Sequence, residues 1–267
     1  MEGNRKGGGC VELFDTHAHY YADAYDGERE ALVAALPAHG VTRVVCPGCT
    51  LESSRASRDL AERFPFFYFA AGIHPEDLEG VGFDALAEVE ALCRHPKCVA
   101  VGEIGLDYYW VKGKEARQNS QEFYRRQLAL AEKLNLPAIV HDRDAHRDTL
   151  DIAREFPNVK GVFHCCAFCV PDALAAVEMG WMLSFTGNIT FETARRVPEV
   201  AAAVPLEHIM LETDAPYQTP EPFRGQRNSS LYLYRVAEAI AQVKGISVEE
   251  VAAVTYQNAM KFFRIKE

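Results

Sequence analysis

No stretch of about 18 consecutive apolar residues occurs in this sequence, so no membrane-spanning helix is predicted. The opening segment, MEGNRKGGGC, is polar and glycine-rich without an apolar core, so no secretory signal is expected there. Residues 1–10 are read as a disordered leader to one domain spanning residues 11–267. Positive charge is also short. Lys and Arg number 28 against 38 Asp and Glu, a net charge of −10 that opposes general attraction to nucleic acid. Any recognition of a phosphodiester must then arise from a local feature. Neither G-x-G-x-x-G nor a P-loop follows any strand-like run, which leaves a nucleotide-binding open sheet without its signature. Cysteine, in contrast, is plentiful. Two C-x-x-C spacings, Cys46 to Cys49 and Cys166 to Cys169, lack a thioredoxin-like context, and a four-cysteine zinc site would need both halves to meet in space. Free thiols are expected, with Cys46 as a small core residue, and a cytoplasmic location follows from that usage.

Eight short apolar runs alternate with amphipathic stretches. The runs are VELFDTH from Val11, VTRVVCPG from Val41, FFYFAAGIH from Phe66, CVAVGEIGL from Cys98, LPAIVHD from Leu136, VKGVFHC from Val159, WMLSFTG from Trp181 and HIMLETD from His208. Between them, stretches such as SQEFYRRQLALAEKL carry apolar residues at helical spacing. Nearly continuous apolar strands separated by helices imply parallel strands buried on both faces. Eight such units in 267 residues predict an α/β protein built as a single (β/α)8 TIM barrel. An extra C-terminal helix, SVEEVAAVTYQNAMKFF, opens on a capping-box pattern from Ser247 to Glu250.

In such a barrel, chemistry sits at the C-terminal strand ends. Reading those ends gives His17 and His19, His74, Glu103, His141, His164 and Asp214. Taken alone, an H-x-H pair is better explained by surface histidines than by a metal site, although alternation turns both imidazoles the same way. Five of the nine histidines ending strands, with two acids beside them, favour the metal. Four His (His17, His19, His141, His164) with Glu103 and Asp214 are the right inventory for two adjacent divalent ions: Mg, Mn or Zn. Glu103, between the two histidine groups in chain order, is the natural bridge. Two dications less two carboxylates leave a positive mouth on an acidic protein, suited to a phosphate.

The stretches FDTHAHY, GIHPED, VGEIGLDYYW, GVFHC, MLSFTGNITF and LETDAPYQTPEPFRGQRN resemble the TatD family of metal-dependent deoxyribonucleases, among the amidohydrolase-like barrels. The likeness runs from Phe14 to about Phe263. It implies that His17, His19 and Asp214 hold one metal, that His141 and His164 hold the other, and that Glu103 is shared. It also implies an exonuclease removing nucleotides from DNA ends, with single-stranded or end-processed DNA as substrate. Two departures from the family pattern are CCAFCVPD after His164 and RGQRN in place of a lysine-bearing form.

The expected chemistry is hydrolysis of a phosphodiester by a water activated between two ions, with Asp214 orienting it and accepting its proton. Asp214 and Glu103 are thus the candidate catalytic groups. Arg143, Arg224 and Arg227 are candidate phosphate contacts, the last two being read equally well as solvated surface arginines. His74 is read as a substrate contact or a support to the ligands. Asp15 either orients a ligand histidine or secures a turn. Tyr108, Tyr109 and Trp110 either stack a base or cover the rim. A metal-dependent hydrolase of a small ester, an amide or an aminoacyl-tRNA ester shares the same residues and is the rival reading. Glu103 tilts the balance towards phosphodiesters, because many amide and lactone hydrolases of this kind use a carbamylated lysine there. A non-catalytic scaffold has no need of six ligands. The protein is expected to act as a monomer, without a membrane partner.

Overall fold

All eight apolar runs form strands in the computed structural model, which describes residues 11–266; the leader expected over residues 1–10 lies outside them. The strands are β1 (Leu13–Asp15), β2 (Val41–Pro47), β3 (Phe67–Ala71), β4 (Cys98–Asp107), β5 (Ala138–Arg143), β6 (Gly161–Phe163), β7 (Met182–Phe185) and β8 (Ile209–Leu211). They pair in parallel and in sequence order. The ring closes through backbone bonds just beyond β1 and β8: Thr16 N donates to Leu211 O at 3.1 Å, Asp214 N to His17 O at 2.9 Å and His19 N to Ala215 O at 2.7 Å. This is the expected (β/α)8 TIM barrel.

The outer layer comprises α1 (Arg29–Ala35), α2 (Leu51–Arg63), α3 (Leu86–Cys93), α4 (Lys114–Leu134), α5 (His146–Arg154), α6 (Val170–Glu178), α7 (Arg196–Ala203) and α8 (Leu233–Lys244). The additional C-terminal helix is α9 (Val248–Phe262), and Ser247 Oγ accepts from Glu250 N at 3.1 Å to begin it. Among the described residues no helix is long and apolar enough to cross a membrane.

Observed strands are shorter than the apolar runs. β1 stops at Asp15, β6 at Phe163 and β8 at Leu211, so His17, His19, His164 and Asp214 stand just past their strands, while Glu103 and His141 lie within theirs. The reason is visible inside the barrel. Phe14, Val45, Ala70, Ala100, Ile139, Val162, Met182 and Met210 give one residue per strand to a single apolar layer, closed from below by Met260 and Phe263 of the C-terminal segment. Two positions further along, side chains point inward again. There the chain carries Gly102, His141, His164, Ser184 and Glu212. The apolar layer supplies stability and the polar layer above it supplies the site, a division that the barrel imposes on its two ends.

Candidate metal centre

Glu103 lies at the middle of this upper layer, fully surrounded. Its Oε2 is 3.2 Å from His17 Nε2 and 3.6 Å from His19 Nε2; its Oε1 is 2.8 Å from His164 Nε2, 3.2 Å from His141 Nδ1 and 3.3 Å from His74 Nε2. Asp214 Oδ1 is 3.4 Å from His19 Nε2 and 3.9 Å from His17 Nε2. Residues from the ends of six strands and nearly two hundred positions therefore converge as the sequence predicts. One side of Glu103 meets the H-x-H pair and Asp214. The other meets His141, His164 and His74.

The two glycines flanking Glu103 make this approach possible. A Cβ on Gly102 would stand 2.7 Å from Ile139 Cβ, and one on Gly105, at φ +136°, would stand 2.0 Å from His141 O. The motif GEIG thus lets β4 press against β5 until Glu103 reaches the centre. Asp214 adopts a left-handed backbone at φ 55°, a conformation that Asp tolerates better than most residues. It is held there because its N–H is bonded to His17 O and its carbonyl accepts from Tyr217 N at 2.8 Å.

The donor set fits divalent cations. His17 Nε2 and His19 Nε2 are 3.1 Å apart, and His141 Nδ1 and His164 Nε2 are 3.3 Å apart. Two nitrogens at roughly 2.0–2.1 Å from a tetrahedral zinc ion would be separated by about 3.3–3.4 Å. Acceptor-rich pairs this close are otherwise repulsive unless a proton or cation lies between them. Protons can take that role when no cation is bound. Burial pushes Glu103 up, but His164, His74 and His17 outweigh it and hold the carboxyl well below its usual range. Burial alone would lower His141; hydrogen bonds to Asp107 and Glu103 lift it instead to about 9. His164 is raised for the same reason, burial being outweighed by Glu103 and Glu212. His17, buried beside His164, is lowered.

This protonation pattern sets a pH dependence. His141 must lose its proton before its nitrogen can hold a cation. Because its folded value is raised, the stability it gives the ion-free protein is complete below about 6.5 and disappears as pH rises through about 9. Metal affinity runs the other way. Zinc binding followed by calorimetry from pH 6 to 9 is expected to strengthen steadily, and a flat profile would contradict the assignment of His141.

Around these candidate donors stand residues that hold them. His141 Nε2 is 3.0 Å from Asp107 Oδ2, and His19 Nδ1 is 3.0 Å from the Tyr21 hydroxyl and 3.2 Å from Pro47 O. Asp15 resolves to the turn-securing alternative. It accepts from Thr213 N at 2.9 Å, Thr213 Oγ1 at 2.6 Å, Ser230 Oγ at 2.6 Å and His17 N at 3.3 Å, and so ties the end of β1 to the segment after β8. Asp15→Ala would strand these buried donors and is expected to destabilise the protein by about 2–4 kcal/mol in urea unfolding. A loss under about 0.5 kcal/mol, the range of ordinary surface changes, would show that the tie is dispensable.

Three residues at the centre escaped the sequence reading. Cys49 Sγ is 3.6 Å from Glu103 Oε2, and burial together with Glu103 pushes its thiol up. Tyr21 bonds both this sulfur, at 3.3 Å, and His19. Glu212 accepts from Cys165 N and Ser184 Oγ, both at 2.6 Å, beneath His164. Only Glu212 carried a signal: it lies two residues before Asp214 and two after the inward-facing Met210.

A cavity of about 820 Å³ opens over the cluster, lined by His74, Glu103, Arg143, His164, Asp214 and Tyr217 among others. His74 reaches the central carboxylate itself, closer in than a substrate contact requires. Of the three arginines, Arg143 reaches the cavity, its guanidinium 4.0 Å from the Tyr109 ring centroid. Arg224 lies 4.1 Å over Phe191. Arg227 is engaged with Ala24 O at 2.6 Å and Glu28 Oε2 at 2.7 Å. The cysteines are free among the described residues, with Cys46 in the core.

Comparison with known proteins agrees with this geometry. The profile described as "TatD related DNase" matches residues 14–264. The chain is 40% identical to the uncharacterized metal-dependent hydrolase YabD of Bacillus subtilis, over 95% of this chain and 99% of that one. It is 36% identical to the uncharacterized metal-dependent hydrolase TatD of Mycobacterium tuberculosis, over 94% and 97% respectively. Among solved structures, the TatD homologue YjjV of Escherichia coli superimposes with a TM-score of 0.89 at 29% identity, covering 96% of this chain and 100% of that one. The barrel, the cage at its mouth and the match along nearly the whole chain lead to one conclusion: the chain belongs to the TatD related DNase family of metal-dependent hydrolases.

Proposed function

We propose that this protein is a divalent-metal-dependent deoxyribonuclease that hydrolyses phosphodiester bonds from a DNA end. The observation that carries this reading is the position of Glu103, whose two oxygens face two separate sets of imidazoles. His17, His19 and Asp214 would hold one ion, His141 and His164 a second, and Glu103 would bridge them. Ions bound there supply Lewis-acid polarisation of the phosphoryl oxygens and a more acidic water.

The chain's own groups do the rest. Burial raises the Asp214 carboxyl, but its hydrogen bond to His19 and the neighbouring imidazoles hold it below its usual range, so it is ionised and able to take a proton from the attacking water. Arg143, at the cavity wall and against the Tyr109 ring, would donate to a phosphate oxygen of the substrate. His74 steadies the Glu103 oxygen on the side away from Asp214. The Glu103 carboxylate in place of a carbamylated lysine favours phosphorus over an amide or lactone carbonyl.

The test is a time course on single- and double-stranded DNA labelled at either end, with manganese or magnesium and with chelator. Mononucleotide release that stops on chelation supports the reading. Inert DNA alongside metal-dependent hydrolysis of an aminoacyl-tRNA or a small ester would replace it with the rival substrate class.

A further inference from the structure

Below the plane of Glu103, three buried groups form a second cluster. Ligand-capable atoms of His17, His164 and Glu212 all lie within 4.8 Å of one another. The His17 and His164 rings are stacked, with centroids 4.0 Å apart and planes at 14°. Each ring turns Nε2 to Glu103, His17 to Oε2 and His164 to Oε1. Each also carries a buried Nδ1 without a hydrogen-bond partner, and His164 Nδ1 is 3.4 Å from Glu212 Oε1.

A carboxylate has about four lone-pair sites. On Glu212 the Cys165 N–H and the Ser184 hydroxyl occupy one on each oxygen. What remains is acceptor capacity for two donors, and two imidazole nitrogens of the same cluster, His17 Nδ1 and His164 Nδ1, lack acceptors. Leaving both unsatisfied in the core would cost about 1–3 kcal/mol each. A neutral imidazole that donates from Nδ1 has its lone pair on Nε2, the atom that faces Glu103.

We propose that Glu212 is a shared positioning residue. A single carboxylate under the floor of the site holds His17 and His164 in the tautomer that leaves Nε2 of both free for a cation, and so links the two halves of the cage. The histidines lie on opposite sides of Glu103, so loading of one half fixes a ring of the other through their common anchor. This inference rests on the reading of the cluster as a metal centre. Asp107 supplies the natural control, because it contacts His141 alone among the ligands.

The experiment is equilibrium dialysis of the full chain against graded free zinc, with bound metal counted by mass spectrometry, for wild type, Glu212→Gln and Asp107→Asn. In Glu212→Gln an amide N–H can face Nδ1 and permit the wrong tautomer. Loss of an outer partner typically weakens metal binding about 10–100-fold. Glu212→Gln is expected to weaken both zinc ions by that factor, whereas Asp107→Asn weakens one. Both ions bound as in wild type, or only one weakened by Glu212→Gln, would overturn the proposal while leaving the metal centre standing. No zinc on wild type would remove the metal centre itself. Histidine ring nitrogen spectra of zinc-loaded wild type give a check that does not depend on a variant folding. Nδ1–H on both His17 and His164 supports the shared anchor, and a deprotonated or metal-bound Nδ1 on either contradicts it.

Discussion

Replacing Glu103 with Gln is expected to lower hydrolysis by more than about 10³-fold, on the scale of removing a group that stabilises transition-state charge, with the barrel still folded. Glutamine keeps the length and shape of the side chain but turns one oxygen into an NH2 group, which cannot ligate a cation. Five imidazole nitrogens lie within 3.6 Å of the carboxylate oxygens, so no neighbour can replace it as a common partner. Circular dichroism should be unchanged, because Gly102 and Gly105, and not the carboxylate, allow β4 to lie against β5. Activity within tenfold of wild type, measured on end-labelled DNA with manganese, would mean that Glu103 bridges nothing.

Removing divalent ions should reduce thermal stability as well as activity. Ligands that bind only the folded state stabilise it by about 4 kcal/mol when present at 1,000 times their dissociation constant. In a domain of this size each kcal/mol moves the melting temperature by roughly 2–4 °C. Dialysis against chelator is therefore expected to lower Tm by about 8–16 °C. Adding back zinc or manganese should restore it. The cage explains the sensitivity: without cations, three buried histidines, the half-buried His141 and two buried acids must share protons at distances near 3 Å. An unchanged Tm would imply that the cluster is held together without metal.

Much of this was readable in the chain. The alternation of VAVGE, PAIVH and KGVFH with helical stretches gives the barrel, because strands buried on both faces leave polar residues only where they emerge. The same logic puts His17, His19, Glu103, His141, His164 and Asp214 at one end of the barrel, and the structure brings their side chains together there. What the sequence hid was of two kinds. Strand ends were overestimated, because apolar residues continue past the last ladder bond: TH after β1 and ETD after β8 belong to the closing turns. The supporting residues were hidden because their roles depend on parity and on loops. Glu212 looks like one more acid in LETD until the inward direction of Met210 is known. Cys49 read as half of a C-x-x-C pair, whereas a turn after β2 brings its sulfur to Glu103. Arg227 reads equally as a phosphate contact or a surface arginine, and the fold turns its guanidinium to Glu28 and Ala24.

Anomalous diffraction from crystals loaded with manganese or zinc bears most directly on the account. Two peaks about 3.5–4 Å apart, one on each side of the Glu103 carboxylate, are predicted. A single peak away from Glu103, or none in crystals whose protein hydrolyses DNA, would contradict it.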